Sequence, residues 1–153
     1  MDHYKNGIVV SDEKMKKATV KEIALMHTKC MGPDDAITSL SGGNQQKIIF
    51  GKWLERNPKV FMMDEPTRGI DVGATEFIRK KLVELSRSGI GVLLVSADLN
   101  EVMELSDSLI VMYGGQIVAY FEDTSQLNDE IMGQYMLGIK KQTAEEIARV
   151  CHE

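Results

Sequence analysis

The chain has 153 residues, of which 43% are hydrophobic and 27% charged, enough for one domain with a modest core. Its formal net charge is −5 with acids and bases interspersed, which argues against nucleic-acid binding, where a basic face is expected. No apolar run approaches the roughly 20 residues needed to span a bilayer, and Met1-Asp2-His3-Tyr4-Lys5 is not a signal peptide, so a cytoplasmic protein is expected.

Residues 1–10 show no sustained period and read as an irregular lead-in. Ser11 is a candidate N-cap, followed by Asp12 and Glu13 at the positive end of a helix whose apolar positions are Met15, Ala18, Ile23 and Met26. That helix is expected to run to about Cys30 and to stop at Gly32-Pro33. Cys30 and Cys151 are far apart without CxxC spacing and read as free thiols.

Next comes Leu40-Ser41-Gly42-Gly43-Asn44-Gln45-Gln46-Lys47, a hydroxyl and two glycines before a stretch that reads as helix from Asn44 to Glu55. Free backbone N–H groups and the positive end of a helix dipole there can face an anion. Read blandly, Ser41-Gly42-Gly43 is a helix cap with a flexible entry. Ile48, Ile49 and Trp53 supply the apolar side of this helix, and Asn57-Pro58 ends it.

Val60-Phe61-Met62-Met63 is a short apolar strand that ends in Asp64-Glu65-Pro66. A buried parallel strand delivers acids to the carboxyl edge of a sheet in this way, a place suited to a metal ion and a base. The acids could equally be a solvated strand end or cap the next turn. From about Ala74 to Ser86 a helix is expected, with Ile78, Leu82 and Leu85 as its core stripe and Gly89 at its end; Asp71 could cap it. Residues 90–96 contain Val92-Leu93-Leu94-Val95, apolar on both faces, and read as a central parallel strand.

Leu99 to Leu105 reads as a short helix, Ser108 to Tyr113 and Gln116 to Phe121 as a hairpin across Gly114-Gly115, and Thr124 to Gly133 as helix. Thr143-Ala144-Glu145-Glu146 is a capping-box pattern before Ile147 and Val150.

LSGGNQQK, MMDEPT and RGIDVGA (Arg68 to Ala74), in that order and at close spacing, resemble the signature motif, the Walker B strand with its glutamate, and the following loop of the ATP-binding-cassette (ABC) transport ATPases. The wording resembles the second nucleotide-binding domain of importers for ribose, galactose and similar sugars, from about Ser11 to about Phe121. The resemblance implies an α/β fold that is a partial P-loop NTPase domain. Residues 1–57 would carry part of the helical subdomain, 58–121 the α/β core with the hairpin, and 122–153 a helical tail.

The resemblance also implies the cofactors ATP and Mg2+. Ser41 and the amides of Gly42 and Gly43, with Asn44 beside them, would close over the γ-phosphate of an ATP held by the opposite domain. Asp64 would hold Mg2+, Glu65 would polarise the attacking water, and Asp71 would link two ATP sites across a dimer. Ala97 stands where most of the family places a histidine, which implies a weak or non-hydrolytic half-site.

No GxxxxGK[ST] loop is present, so hydrolysis by this chain alone is not expected. In the family the Walker A strand lies between the strands matching residues 90–96 and 108–113, so exposed sheet edges are expected. The partners implied are a second nucleotide-binding domain and membrane permease subunits, at the inner face of the cell membrane. Two functional readings follow, an importer ATPase subunit and a non-enzymatic module that completes another domain's ATP site in trans or regulates it. A DNA-repair ATPase is disfavoured by the acidic balance.

Overall fold

In the computed structural model, which describes residues 5–6, 9–125 and 127–150, the chain divides into two compact units. Residues 1–62 and 66–93 make the first, residues 63–65 and 94–153 the second. Cys151, His3 and His152 lie outside the described residues.

In the first unit, the lead-in expected to be irregular holds two short strands, β1 (Lys5–Asn6) and β2 (Val9–Val10), paired antiparallel with Lys5 opposite Val10. Helix α1 (Asp12–Leu25) starts as expected, with the Ser11 side chain accepting from Lys14 N–H. It stops earlier than the expected Cys30. His27 takes a left-handed conformation (φ 47), Thr28 N–H donates to Ile23 C=O at 3.0 Å, and His27 N–H to Ala24 C=O at 3.3 Å. This is a Schellman end built on a histidine in place of the usual glycine. Gly32-Pro33 therefore has no helix left to stop.

Helix α2 (Gly42–Leu54) buries Phe50 against Phe61, with ring centroids 5.0 Å apart. The side it turns inward is not the expected one. Ile49 and Trp53 are exposed, and the Trp53 ring instead carries the Arg56 guanidinium 4.7 Å from its centroid. Helix α2 meets α1 at Gly51, where an added Cβ would sit 2.6 Å from Glu22 Oε2 and 3.0 Å from Met26 Cγ, so glycine sets the closeness of the two helices.

Strand β3 (Val60–Asp64) falls where the sequence places it, and α3 (Val72–Arg87) buries Ala74, Ile78, Leu82 and Leu85, the expected stripe. Gly89 (φ 88) ends that helix, with Ile90 N–H returning to Leu85 C=O. Strand β4 (Gly91–Val95) pairs with β3 alone among the described residues. Gly91 N–H donates to Lys59 C=O and Glu65 N–H to Val95 C=O, start to start and end to end, so the pair is parallel. Cover on both faces was expected for β4. Instead Leu93 and Val95 are exposed, as are Val60 and Met62 on β3.

The second unit contains α4 (Leu99–Leu105), capped by Asp98, and the hairpin β5 (Leu109–Tyr113) and β6 (Gln116–Phe121). Gly114 and Gly115 both have positive φ (58 and 76), which a two-residue primed turn requires. A bulge between Val111 and Met112 shifts the register from Val111 opposite Ala119 to Met112 opposite Ile117. Helix α5 (Asp129–Met136) begins later than the expected Thr124, because the Asn128 side chain caps Ile131 N–H at 2.9 Å and fixes the start. Its Met132 and Tyr135 pack with Val111, Val118 and Ala119 into the core of this unit. Helix α6 (Ala144–Val150) opens with the anticipated capping box, Thr143 N–H donating to Glu146 Oε2 at 2.6 Å and Glu146 N–H to Thr143 Oγ1 at 3.2 Å.

Candidate functional site

The candidate residues fall in both units, with Ser41 to Asn44 and Asp71 in the first and Asp64 and Glu65 in the second.

In the first unit, the starts of α2 and α3 lie against each other. Gly43 is buried, and a Cβ added to it would stand 2.6 Å from Ala74 Cβ and 2.7 Å from Asp71 Oδ2. Only glycine allows that approach. Gly42, one residue earlier, has nothing closer than Gly69 C=O and Ile70 Cγ2, both at 4.0 Å, and stays exposed. Asp71 caps α3, its Oδ1 accepting from Ala74 N–H at 2.9 Å, so the local capping role open to it in the sequence is the one its side chain takes.

Ser41 occupies the N-cap position of α2, with Gln45 N–H bonded to its C=O at 2.9 Å, yet its side chain caps no backbone amide. Its Oγ accepts instead from Asn44 Nδ2 at 2.9 Å, and Asn44 Oδ1 accepts from Lys29 N–H at 2.9 Å. The first-turn N–H groups of α2 thus receive no cap from Ser41, which is exposed together with Gly42, an arrangement that favours an anion. Gln45 Nε2 anchors the entry through Leu40 C=O at 2.9 Å. Lys47 leans over the Phe77 ring, 4.5 Å from its centroid, and donates to His27 C=O.

In the second unit, Asp64 is exposed at the end of β3 and Glu65 follows it in a left-handed conformation (φ 47). A non-glycine residue there costs on the order of 1 kcal/mol, so something must hold it. Two hydrogen bonds do. Glu65 N–H donates to Val95 C=O at 2.8 Å and Glu65 Oε1 accepts from Ala97 N–H at 2.9 Å. The carboxylate is thereby fixed at the carboxyl end of β4 with its second oxygen uncommitted.

No group of three or more acidic, histidine or cysteine side chains among the described residues could hold a metal ion by itself. Asp64 fits Mg2+ as one carboxylate among phosphate oxygens and waters, the sharing usual for that ion, and the α2 start fits a phosphate. The sequence pattern did not single out Lys29 or the amide of Ala97. Both act through backbone N–H groups, which carry no residue signal.

A parallel β-α-β unit with two acids at its strand end, and a glycine-led helix start earlier in the chain, define part of an ATP-binding-cassette ATPase domain, and the chain belongs to that family. No protein-family model matches the chain. Among individual proteins, it is 45% identical over 112 residues to the galactose/methyl galactoside import ATP-binding protein MglA of Treponema denticola, an overlap of 73% of this chain and 22% of that protein. It is 38% identical over 123 residues to the ribose import ATP-binding protein RbsA of Geobacillus kaustophilus (80% of this chain, 25% of that one). The xylose import ATP-binding protein XylG of the same organism is 40% identical over 143 residues (86% and 28%). The chain thus spans about a quarter of the length of the curated relatives it matches. Among solved structures it is similar to MJ1267, an ATP-binding cassette of an ABC transporter, at 28% identity and a TM-score of 0.66, covering 89% of this chain and 53% of that one. No helix among the described residues is long and apolar enough to cross a membrane.

Proposed function

We propose that this chain supplies the signature loop and the acidic strand end of the ATP-binding subunit of a sugar importer, working with a second nucleotide-binding domain and membrane permease subunits at the inner face of the cell membrane. The observation that carries this reading is its similarity, over about 80% of its length, to ATP-binding proteins of ribose import and, over comparable spans, of galactose and xylose import.

On this reading the Ser41 hydroxyl and the amides of Gly42 and Gly43 bind the terminal phosphate of an ATP held by the second domain. Donors fixed in advance at a helix start stabilise the charge that develops there at no reorganisation cost. Glu65 offers the oxygen not held by Ala97 to the attacking water, orienting it and accepting its proton. Mg2+, when bound through Asp64 and phosphate oxygens, would neutralise charge on the phosphates. Asp71, in the loop after the acids, links the two ATP sites across the pair of domains. Ala97 brings no polar side-chain atom to the end of β4, so Glu65 acts there without a second polar side chain at that position, and slow turnover is expected. The Walker A loop must come from outside these 153 residues.

Calorimetric titration with Mg·ATP tests the reading. No heat from the chain alone, and tighter binding by its mixture with a complete sugar-import nucleotide-binding domain than by that domain alone, is the expected result. Tight binding by the chain alone, with turnover lost in Glu65→Gln, would overturn the part of the reading that places the Walker A loop elsewhere.

A further inference from the structure

Asn44 is the third residue of the α2 helix, the position whose backbone N–H an N-cap serine ordinarily takes. In this chain the serine oxygen is turned away from that task. Lys29 N–H can bond only to an acceptor, so it fixes the Asn44 amide with Oδ1 toward Lys29 and Nδ2 toward Ser41. Ser41 Oγ then receives the Nδ2 proton, makes no bond to a first-turn amide, and keeps its own proton for an outside acceptor. Forgoing the cap leaves a helix start short of a partner that a bound anion would provide. Gly43, backed against Ala74 and Asp71, keeps the α2 start from shifting.

We infer that Asn44 is a positioning residue and not itself a phosphate ligand. It withholds the Ser41 hydroxyl from capping α2, so that this hydroxyl and the amides of Gly42 and Gly43 stay available to the terminal phosphate of a nucleoside triphosphate. The phosphate half of this inference rests on the function proposed above, whereas the hold on Ser41 does not.

Amide hydrogen exchange of the full chain, followed by NMR without nucleotide, tests the hold. Ser41→Ala should leave the amides of Gly43 and Asn44 exchanging as in the parent chain. Asn44→Ala should release Ser41 to cap, slowing the amides of positions 43 and 44 about fivefold, and Ser41→Ala added to it should restore the parent rates. A merely structural strut would do the opposite, speeding exchange along α2 in Asn44→Ala. That result, or faster exchange in Ser41→Ala alone, overturns the inference.

A second arm adds Mg·ATP and a complete sugar-import nucleotide-binding domain. Protection of the Gly43 amide in the parent chain, weakened at least several-fold in Asn44→Ala, supports the phosphate half. Exchange behaving as expected without nucleotide, but unprotected in every variant with it, overturns the phosphate half and the proposed ATP site together while the hold on Ser41 stands.

Discussion

At the start of α3 the Asp71 carboxylate accepts from Ala74 N–H at 2.9 Å, whereas at the start of α2 the Ser41 oxygen is occupied by the Asn44 side chain at the same distance. The backbone enters both helices alike, with φ −72 and ψ 159 at Asp71 and φ −61 and ψ 154 at Ser41. The contrast therefore lies in side-chain chemistry and in what else is near. Asp71 has a carboxylate whose second oxygen faces Gly43, so one charge serves its own helix and borders the other. Ser41 has a neighbour, Asn44, that Lys29 holds in place. One helix start is satisfied internally and the other is left open.

The contact between the two starts should be the costliest to disturb. Gly43→Ala forces a methyl group against Ala74 and Asp71, and a loss of about 1–3 kcal/mol is expected, read from urea unfolding followed by the fluorescence of Trp53, which lies on α2. Asp71→Ala leaves α3 uncapped and should cost about 1 kcal/mol in the same assay. An unchanged midpoint would show that the α3 start is not held by this carboxylate.

A smaller effect of opposite sign comes from the far end of α2. Glu22 Oε2 is buried without a partner near Gly51, and burial first, then the Glu55 charge, raise its pKa above the ordinary 4.5, against a lowering by Lys21. A carboxyl whose pKa is higher folded than unfolded stabilises the fold when protonated. Its contribution is full below pH 4.5 and is lost as pH rises through the folded value. Glu22→Gln should therefore raise stability at pH 7 by less than about 1 kcal/mol, the gain vanishing at pH 4 and below, as urea midpoints at the two pH values would show. Ser41→Ala should have the least effect, within about 0.5 kcal/mol of the parent, because no cap is lost. A loss as large as that of Asp71→Ala would erase the contrast between the two starts.

Where an element is fixed by groups a few residues apart, it was legible in the sequence. Ser11 before Asp12-Glu13, the glycine pair between β5 and β6, and the Thr143/Glu146 box all hold. The stripe of α3 was legible too, because its residues recur at helical spacing and meet one buried face. The α1 end was not, since histidine is an uncommon residue for a left-handed helix stop and Gly32-Pro33 offered a more familiar signal. Nor was the facing of α2. Phe50 lies one position from Ile49, and with Ile49 and Trp53 on the same helix, spacing alone could not choose the inward stripe.

The sequence by itself determined the order of the signature, acid and loop segments, the identity of the side chains they offer, and the helix starts whose caps are local. The tertiary structure decided that Gly43 must be glycine, that Glu65 is held left-handed by β4, and that Ser41 does not cap. Each of those depends on a group brought from elsewhere in the chain, such as Ala74 against Gly43, Ala97 N–H on Glu65, or Lys29 N–H on Asn44. Caps and turns are decided over three or four residues, whereas a backbone amide arriving from a distant segment leaves no mark in the letters of either partner.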